Sequence, residues 1–210
     1  MFAEVSIQDF LSQVASPDPV PAGGGIAAMN AASAAALIEM VARLTIDRKG
    51  HEAVWNRMRE IAQECACLRA ALLADIDRDA AAYRAVMAAY RLPKATAVER
   101  ENRASTIEEA LRQATRVPFD VAQRALRLMN LAGEAISSGN PHAAADAAAG
   151  MHSAHAALMT AVGNIRTNVR SIRDSSWANR MRSDAERMEK EAVAHAFSGT
   201  IGVSDAGNES

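Results

Sequence analysis

The chain has 210 residues, enough for one domain with a sizeable core, and half of them are hydrophobic. Its 23 basic and 25 acidic residues give a formal net charge of −2, so it lacks the basic surplus of a dedicated nucleic-acid binder. Alanine fills 48 positions, whereas aromatic residues make up 4%. This composition favours closely packed helices over sheets and excludes a disordered chain.

The sequence shows no sign of export or of membrane insertion. No run reaches the ~18 apolar residues that a spanning helix needs, and the stretch Met1–Leu11 lacks the basic start of a signal peptide. Cys65 and Cys67 lie two apart on a predicted helix, so their side chains point to different faces and predict no disulfide. We therefore expect a cytoplasmic protein.

Helix signals and chain breaks predict an all-α chain. Ser6 with Asp9 marks the start of the first helix, and Thr96 with Glu99 forms a capping box before the fourth. Pro118 predicts a kink or break inside that fourth helix. The predicted helices are 6–15, 26–46, 52–90, 96–137, 141–172 and 177–197, joined by a proline- and glycine-rich loop at 16–25 and by shorter turns.

The connections between the long helices are short, which predicts an up-and-down bundle. Residues 1–197 are expected to form one helical domain. The polar, glycine-bearing stretch 198–210 is expected to be a disordered tail.

The third predicted helix carries two carboxylates on its apolar stripe. Apolar residues recur at alternating spacings of four and three, at Val54, Met58, Ile61, Cys65, Leu68 and Leu72. The same spacing then reaches Asp75 and Asp79 before the stripe resumes at Val86 and Tyr90. Because an unpaired buried charge is costly, the pattern indicates either a widened stripe with both carboxylates in water or a functional site.

The fifth predicted helix has a small, partly polar face. At helical spacing it contains Asp146, Gly150, Ser153, Ala157, Ala161, Asn164 and Asn168. Small residues favour close helix approach, whereas asparagines that face a core need hydrogen-bond partners or a ligand. The sequence leaves both interpretations open.

Depth along the bundle separates the candidate residues into two groups. Gly23–Gly25 and Lys94 lie at one end, with Asp79 and Asn164 at similar depth below it. Arg48, Asn140 and Asp146 fall at the other end, and Asp146 stands about 27 Å from Asn164 along the axis. An antiparallel dimer would bring the two groups together.

Two further motifs carry weak signals. Three glycines before a helix can receive an anion on free backbone N–H groups, yet they match neither a P-loop nor a dinucleotide fingerprint. His152 and His155 share a helix face, but no Glu or Cys completes a ligand set, so we predict no metal site.

Taken in chain order, the motifs resemble those of the formiminotransferase-cyclodeaminase C-terminal domain family, which includes free-standing bacterial methenyltetrahydrofolate cyclohydrolases. The resemblance covers roughly residues 6 to 197. It rests on Pro21-Ala22-Gly23-Gly24-Gly25-Ile26-Ala27-Ala28, Leu44-Thr45-Ile46-Asp47-Arg48-Lys49, Asp79 four before Tyr83, Leu92-Pro93-Lys94, Arg103, Val117-Pro118, Gly139-Asn140 with Asp146, and Asn164 with Asn168.

The resemblance implies an all-α homodimer that acts on one-carbon units bridged between N5 and N10 of tetrahydrofolate. The family's proposed catalytic aspartate falls on Asp79. The activity expected first is 5,10-methenyltetrahydrofolate cyclohydrolase, with no cofactor beyond the tetrahydrofolate substrate and no nucleic-acid or membrane partner.

The implied site combines proton transfer with anion binding. Asp79 removes and returns a proton, and Asn164 and Asn168 orient water or the pterin. Lys94 with Arg48 or Lys49 attracts the folate carboxylates. We expect the pocket to draw on both subunits, with Gly24, Gly25, Asp79, Lys94, Asn164 and Asn168 at one end and Arg48, Lys49, Asn140 and Asp146 at the other.

Departures from the family pattern keep two alternatives open. Ile26 replaces an expected serine or glycine, Asp47 replaces a turn glycine, His51 replaces an aromatic residue, and Ala145 replaces a serine. One alternative is formiminotetrahydrofolate cyclodeaminase, in which N10 attacks the formimino carbon and ammonia leaves. The other is a non-catalytic helical module that has kept only the dimer core.

Overall fold

The computed structural model describes the backbone of residues 1–204 and the side chains of residues 1–195. That part of the chain contains no strand and six α-helices, α1 (Ile7–Val14), α2 (Gly23–Thr45), α3 (Trp55–Tyr90), α4 (Ala97–Ser138), α5 (Ala144–Val169) and α6 (Ser175–Ser204). Short 3₁₀ segments, Phe2–Glu4, Glu52–Val54 and Pro141–Ala143, precede α1, α3 and α5. The all-α prediction is confirmed.

Helix α2 lies at the centre of the bundle, packed against α3, α4 and α5, while α6 packs on α4 and α5. The alanines of α2 let the backbones of the neighbouring helices approach closely. On α5, a Cβ added at Gly150 would lie 3.1 Å from Cγ1 of Ile38 and 3.4 Å from the carbonyl oxygen of Ala34. The small residues in this part of α5 therefore form a packing face.

The apolar composition of α2 follows from its central position. By length and composition this helix could cross a membrane, yet 61% of its most apolar window is buried inside the bundle. A buried core helix passes the same test, so the composition is weak support for a membrane span. The buried Glu39 also forms ion pairs with Arg43 and Arg69 across the outer side of α2.

The predicted caps are present, but several helix ends differ from prediction. Ser6 accepts a hydrogen bond from the Asp9 backbone N–H, and Thr96 and Glu99 form the capping box. Helix α2 begins at Gly23, three residues before the predicted start at Ile26. The first N–H groups of a helix need no intrahelical acceptor, so the glycines form its first turn instead of remaining a loop.

Helix α4 runs unbroken through the buried Pro118, so the predicted break does not occur. Proline removes one backbone hydrogen bond, which frees the carbonyl of Ala114 four residues earlier. The side-chain amide of Asn168 donates a hydrogen bond to that oxygen at 2.8 Å. A neighbouring helix thus supplies the donor that α4 lacks.

Helix α5 ends at Val169, three residues before the predicted end, and the carboxylate of Asp174 accepts from the Trp177 N–H at the start of α6. Helix α6 continues to Ser204, into the stretch 198–210 for which the sequence predicts disorder. Glycine weakens a helix by about 1 kcal/mol relative to alanine without terminating it. The end of that predicted tail, 205–210, lies outside the described residues.

The long helices α3 and α4 extend beyond the start of α2. Gly24, in the first turn of α2, lies against Asp79, which is eleven residues before the end of α3 at Tyr90. The end of α3 therefore projects about 16 Å past α2. Arg103 near the start of α4 donates to the Tyr90 carbonyl and braces the projecting hairpin. A cavity opens at the base of this hairpin.

Candidate functional site

The cavity has a volume of about 270 Å³ and is lined by four helices and by the loop before α2. Its polar or close-packed lining residues are Gly24 from α2, Asp79 and Tyr83 from α3, Ala114 from α4, and Asn164, Thr167 and Asn168 from α5. The structure therefore brings together four of the residues predicted from sequence, one on α2, one on α3 and two on α5.

The carboxylate of Asp79 lies against the first turn of α2. A Cβ built on Gly24 would overlap Oδ1, Oδ2 and Cγ of Asp79, so only glycine leaves room for this contact. The backbone N–H of Gly25 donates a hydrogen bond to the same carboxylate. A carboxylate at a helix N-terminus also interacts favourably with the helix dipole. The glycine run of α2 thus holds an anionic side chain of the protein itself.

Beneath Asp79 the cavity has an apolar floor, to which Ala27, Val117, Pro118, Val121 and Ala161 contribute. Burial in this environment raises the pKa of Asp79 above its ordinary value, and the hydrogen bond from Gly25 only partly opposes the rise. Among the described residues that line the cavity and its floor, none is an arginine, lysine or histidine. A carboxylate with a raised pKa is suited to take up and return a proton.

The second carboxylate on the apolar stripe has a different environment. Asp75 is 1% exposed and forms ion pairs with Arg78 and Arg124, and Arg78 also contacts Asp120. Burial raises the pKa of Asp75, and the two guanidinium groups oppose that rise. The interpretation in which both carboxylates reach water is wrong for Asp75. This aspartate joins α3 to α4, whereas Asp79 faces the cavity.

The two asparagines of α5 also differ, because one makes a structural hydrogen bond and the other faces the cavity without a partner in the described part of the chain. The amide of Asn168 donates to the Ala114 carbonyl. Asn164 lines both the cavity and its floor, and its side chain is half-buried. Within the described residues no hydrogen bond to the Asn164 amide is present, so both its donor and its acceptor are available to a bound molecule.

The remaining predicted residues from this end of the bundle do not line the cavity. Gly25 is buried, and its Cβ position faces Ile76, Pro21 and Phe10, so its contribution to the site is its N–H group. Lys94 is exposed in the α3–α4 connection, beyond the end of α3 and thus more than about 16 Å from Asp79 along the helix.

The second predicted group lies at the opposite end of α2. The backbone N–H of Asn140 donates to the side chain of Thr45, the last residue of α2, at 2.9 Å, about 32 Å along the helix from Gly24. Asn140 is buried and caps the segment before α5, while Asp146 is exposed in the first turn of α5. Arg48 and Lys49 occupy the nearby turn after α2. The predicted separation of the two groups is confirmed.

Several lining residues were not among the predicted site residues, although Tyr83 belongs to the motif that carries the resemblance. Tyr83 follows Asp79 by four residues and Thr167 follows Asn164 by three, so helical spacing alone places each on the same face as its partner. Leu111 and Ala114 come from α4, for which the sequence offers no polar marker. They line the cavity because α4 packs against α5 at this depth.

Two departures from the family pattern fit the fold without strain on the site. Asp47 adopts a positive φ of 63°, a conformation that aspartate tolerates better than most residues, and its carboxylate contacts Arg59. Ile26 is half-buried against the core. The sequence changes at these two positions therefore leave the cavity intact.

The histidine pair on α5 does not belong to a cluster of potential metal ligands among the described residues. Within the part of the chain that the structure describes, no three residues among His, Cys, Asp and Glu cluster in a way that could hold a metal ion. His152 is exposed, and His155 is half-buried with its Nε2 atom shielded from solvent.

Comparisons with known proteins agree with one another. The family model described as Formiminotransferase-cyclodeaminase matches residues 6–187. A methenyltetrahydrofolate cyclohydrolase of Methylorubrum extorquens is 36% identical over 194 residues, which cover 92% of this chain and 93% of that protein. The formimidoyltransferase-cyclodeaminase of Rattus norvegicus is 28% identical over 92% of this chain, which spans only 36% of the rat protein. The crystal structure of a formiminotetrahydrofolate cyclodeaminase from Thermotoga maritima has a TM-score of 0.88 and 26% identity, covering 97% of this chain and 98% of that one.

Proposed function

Since the chain belongs to the formiminotransferase-cyclodeaminase family, we propose that it is a 5,10-methenyltetrahydrofolate cyclohydrolase that forms 10-formyltetrahydrofolate. The observation that carries the proposal is the position of Asp79. Its carboxylate lies in a cavity with an apolar floor, beside an asparagine that has no hydrogen-bond partner among the described residues. A relative that matches along nearly its whole length bears this activity in its name.

The reaction requires one water molecule and the movement of protons. Water attacks the amidinium carbon between N5 and N10 while the Asp79 carboxylate removes a proton from it. The protonated carboxyl then returns that proton to N5 as the bond between N5 and the carbon breaks. The hydroxyl proton leaves as the formyl C=O forms on N10, so one proton is released for each cation hydrolysed.

The surroundings of Asp79 support both halves of this cycle. Burial that raises the pKa brings the carboxyl closer to the pH at which it can both accept and donate a proton. Asn164 can hold the attacking water or the pterin through its carbonyl and amide groups. Tyr83 offers a planar apolar surface at the rim of the cavity for an aromatic part of the substrate.

Formiminotetrahydrofolate cyclodeaminase activity is the second candidate, because the Thermotoga maritima structure with that name covers nearly all of this chain. The same carboxylate would move the protons while N10 attacks and ammonia leaves. Two assays with purified protein separate the candidates. The proposal expects rapid loss of methenyltetrahydrofolate absorbance and no ammonia from 5-formiminotetrahydrofolate, and the reverse result would assign the cyclodeaminase.

The non-catalytic alternative has less support. A helical module that kept only its dimer core would gain nothing from the Asp79 carboxylate above an apolar floor. Burial raises the pKa of Asp79, and the opposing influence on it is the backbone hydrogen bond from Gly25 and not a neighbouring cation. Such a site destabilises the fold and is typical of functional positions. Absence of turnover with both folates would favour the module.

We further propose that the protein is a homodimer that pairs through the outer face of α2. Exposed apolar side chains lie along α1 and α2, including Ile7 at 74% and Leu44 at 51% exposure, with Met40 between them. Met40 and Leu44 lie in the second half of α2, next to the ion pair between Glu39 and Arg43. A two-fold antiparallel pairing through this face would place the Gly24 end of one chain beside the Thr45 end of its partner. Light scattering at micromolar concentration tests the dimer, and a stable monomer would contradict it.

The remaining parts of the proposal concern location and cofactors. We propose a cytoplasmic enzyme that uses water and the tetrahydrofolate adduct alone and that has no nucleic-acid or membrane partner. Dialysis against a chelator is expected to leave the cyclohydrolase rate unchanged. A loss of rate that added metal restores would contradict this part.

A further inference from the structure

The interior proline of α4 removes one backbone hydrogen bond from the wall of the cavity. Pro118 has no backbone N–H, and its ring crowds the carbonyl four residues earlier, so the oxygen of Ala114 lacks the usual helical hydrogen bond from position 118. Pro118 is buried and belongs to the apolar floor beneath Asp79, and Ala114 lines the cavity itself. Helix α4 has 42 residues, and its missing hydrogen bond lies at the candidate site.

A side chain from another helix supplies the hydrogen-bond donor that the proline lacks. The amide nitrogen of Asn168 on α5 donates to the Ala114 oxygen at 2.8 Å. This contact joins α4 to α5 four residues from Asn164, at the depth at which both helices face Asp79. Ala114 is half-buried, and leaving its carbonyl without a partner would be unfavourable, so the contact has a structural reason of its own.

We propose that Asn168 is a positioning residue, which replaces the hydrogen bond that Pro118 removes and so holds the α4 wall of the cavity against Asp79. The proposal differs from a direct contact between the Asn168 amide and the folate. Its consequence for turnover rests on the proposed function, whereas the contact and its effect on the Asp79 environment do not.

The proposal predicts how the proton affinity of Asp79 responds. Without the Asn168 contact, Val117 and Pro118 are no longer held against the carboxylate and water reaches it. The pKa of Asp79 then falls toward its ordinary value. The other titratable group among the described residues that line the cavity and its floor is Tyr83, on α3, while α2, α4 and α5 contribute none. A change in the pKa therefore reports the wall and not a neighbouring charge.

A cycle of four proteins tests the proposal, namely wild type, Asn168→Ala, Pro118→Ala and the double variant. Pro118→Ala restores a backbone N–H that can donate to the Ala114 oxygen, so the Asn168 amide becomes dispensable. The pKa of Asp79 is measured by ¹³C NMR of the labelled carboxyl group, without substrate. The rate kcat for methenyltetrahydrofolate is measured in parallel, each variant being compared with its own background.

The expected result is a strong dependence on background. Asn168→Ala lowers the pKa of Asp79 and reduces kcat by roughly 10- to 100-fold when Pro118 is present. When Asn168→Ala is added to Pro118→Ala, kcat changes by less than about threefold, and the pKa of Asp79 equals that of the Pro118→Ala protein. Equal effects of Asn168→Ala in both backgrounds, or a rise in KM with kcat and pKa unchanged, would overturn the proposal.

A second variant keeps the test decisive if Pro118→Ala fails to fold. Asn168→Leu has nearly the same size and no charge but loses the N–H donor, so it is expected to lower the pKa of Asp79 as Asn168→Ala does. An unchanged pKa in Asn168→Leu would contradict the proposal. If no variant or wild type hydrolyses methenyltetrahydrofolate, the proposed function fails, while the NMR measurement still decides the role of Asn168.

Discussion

The Cα of Gly24 lies so close to the carboxylate of Asp79 that no other residue fits at position 24 without moving the aspartate. This contact joins the first turn of α2 to the middle of α3 and fixes the carboxylate beside the N–H of Gly25. The glycine run therefore holds Asp79, the proposed catalytic residue, whereas the sequence motif alone indicated only that free N–H groups can receive an anion.

Gly24→Ala is expected to displace the Asp79 carboxylate and to lower kcat by about 100-fold, since misplacement of a reacting group by 1 Å can have that effect. The matched control is Gly163→Ala, which adds the same methyl group on α5 where nothing lies within 4 Å. The control is expected to retain its rate and to gain about 0.5–1 kcal/mol of stability, as alanine does in a helix. Similar rates for both variants would show that the Gly24 contact is unimportant.

The sequence was sufficient to predict the helical fold and to mark two unusual aspartates on α3, because both depend on local spacing. The stripe of α3 singled out Asp75 and Asp79 equally, and spacing alone could not distinguish them. The distinction depends on Arg124, 49 residues away on α4, which pairs with Asp75. The role of Asn168 likewise depends on Pro118 of another helix, so only tertiary packing revealed it.

The stability of the protein is expected to report the raised pKa of Asp79. The group's ordinary pKa is near 3.8 and its folded-state pKa is higher, so the folded state binds the proton more tightly than the unfolded chain. This contribution is fully present below the ordinary pKa and is lost as pH rises through the folded-state value. The free energy of unfolding of Asp79→Asn should therefore increase relative to wild type between pH 4 and neutral pH.

Urea unfolding of both proteins at several pH values measures that difference. Asp77→Asn on the same helix is the control, because the Asp77 carboxylate lies outside the cavity and accepts a hydrogen bond from the Phe2 N–H. A difference between Asp79→Asn and wild type that does not vary with pH would indicate an ordinary pKa for Asp79.

Asp75 is expected to matter for folding and not for proton transfer. Asp75→Ala leaves Arg124 and Arg78 without their buried partner and should lower the free energy of unfolding by about 3 kcal/mol. Under conditions in which the variant is folded, KM should change little. Thermal unfolding and steady-state kinetics together check this prediction, and a stable but inactive variant would assign Asp75 to the chemistry.

A pocket shared between the two subunits of the proposed homodimer would predict complementation between two inactive variants. Asp79→Asn removes a residue from one end of the bundle and Asp146→Ala removes one from the other end. If each pocket draws on both chains, an equal mixture contains dimers with one intact pocket and regains up to about a quarter of wild-type activity. No recovery on mixing, or full activity of Asp146→Ala alone, would limit each site to one chain.

The central claim is that the Asp79 carboxylate transfers the proton during hydrolysis of methenyltetrahydrofolate. The most direct measurement is the rate at which methenyltetrahydrofolate absorbance disappears with wild type and with Asp79→Asn, at equal concentrations and with folding verified by circular dichroism. The amide keeps the size of the carboxylate but cannot accept and return a proton, so we predict a loss of 10²–10⁴-fold with substrate binding largely retained. A rate for Asp79→Asn within a few-fold of wild type would contradict the claim.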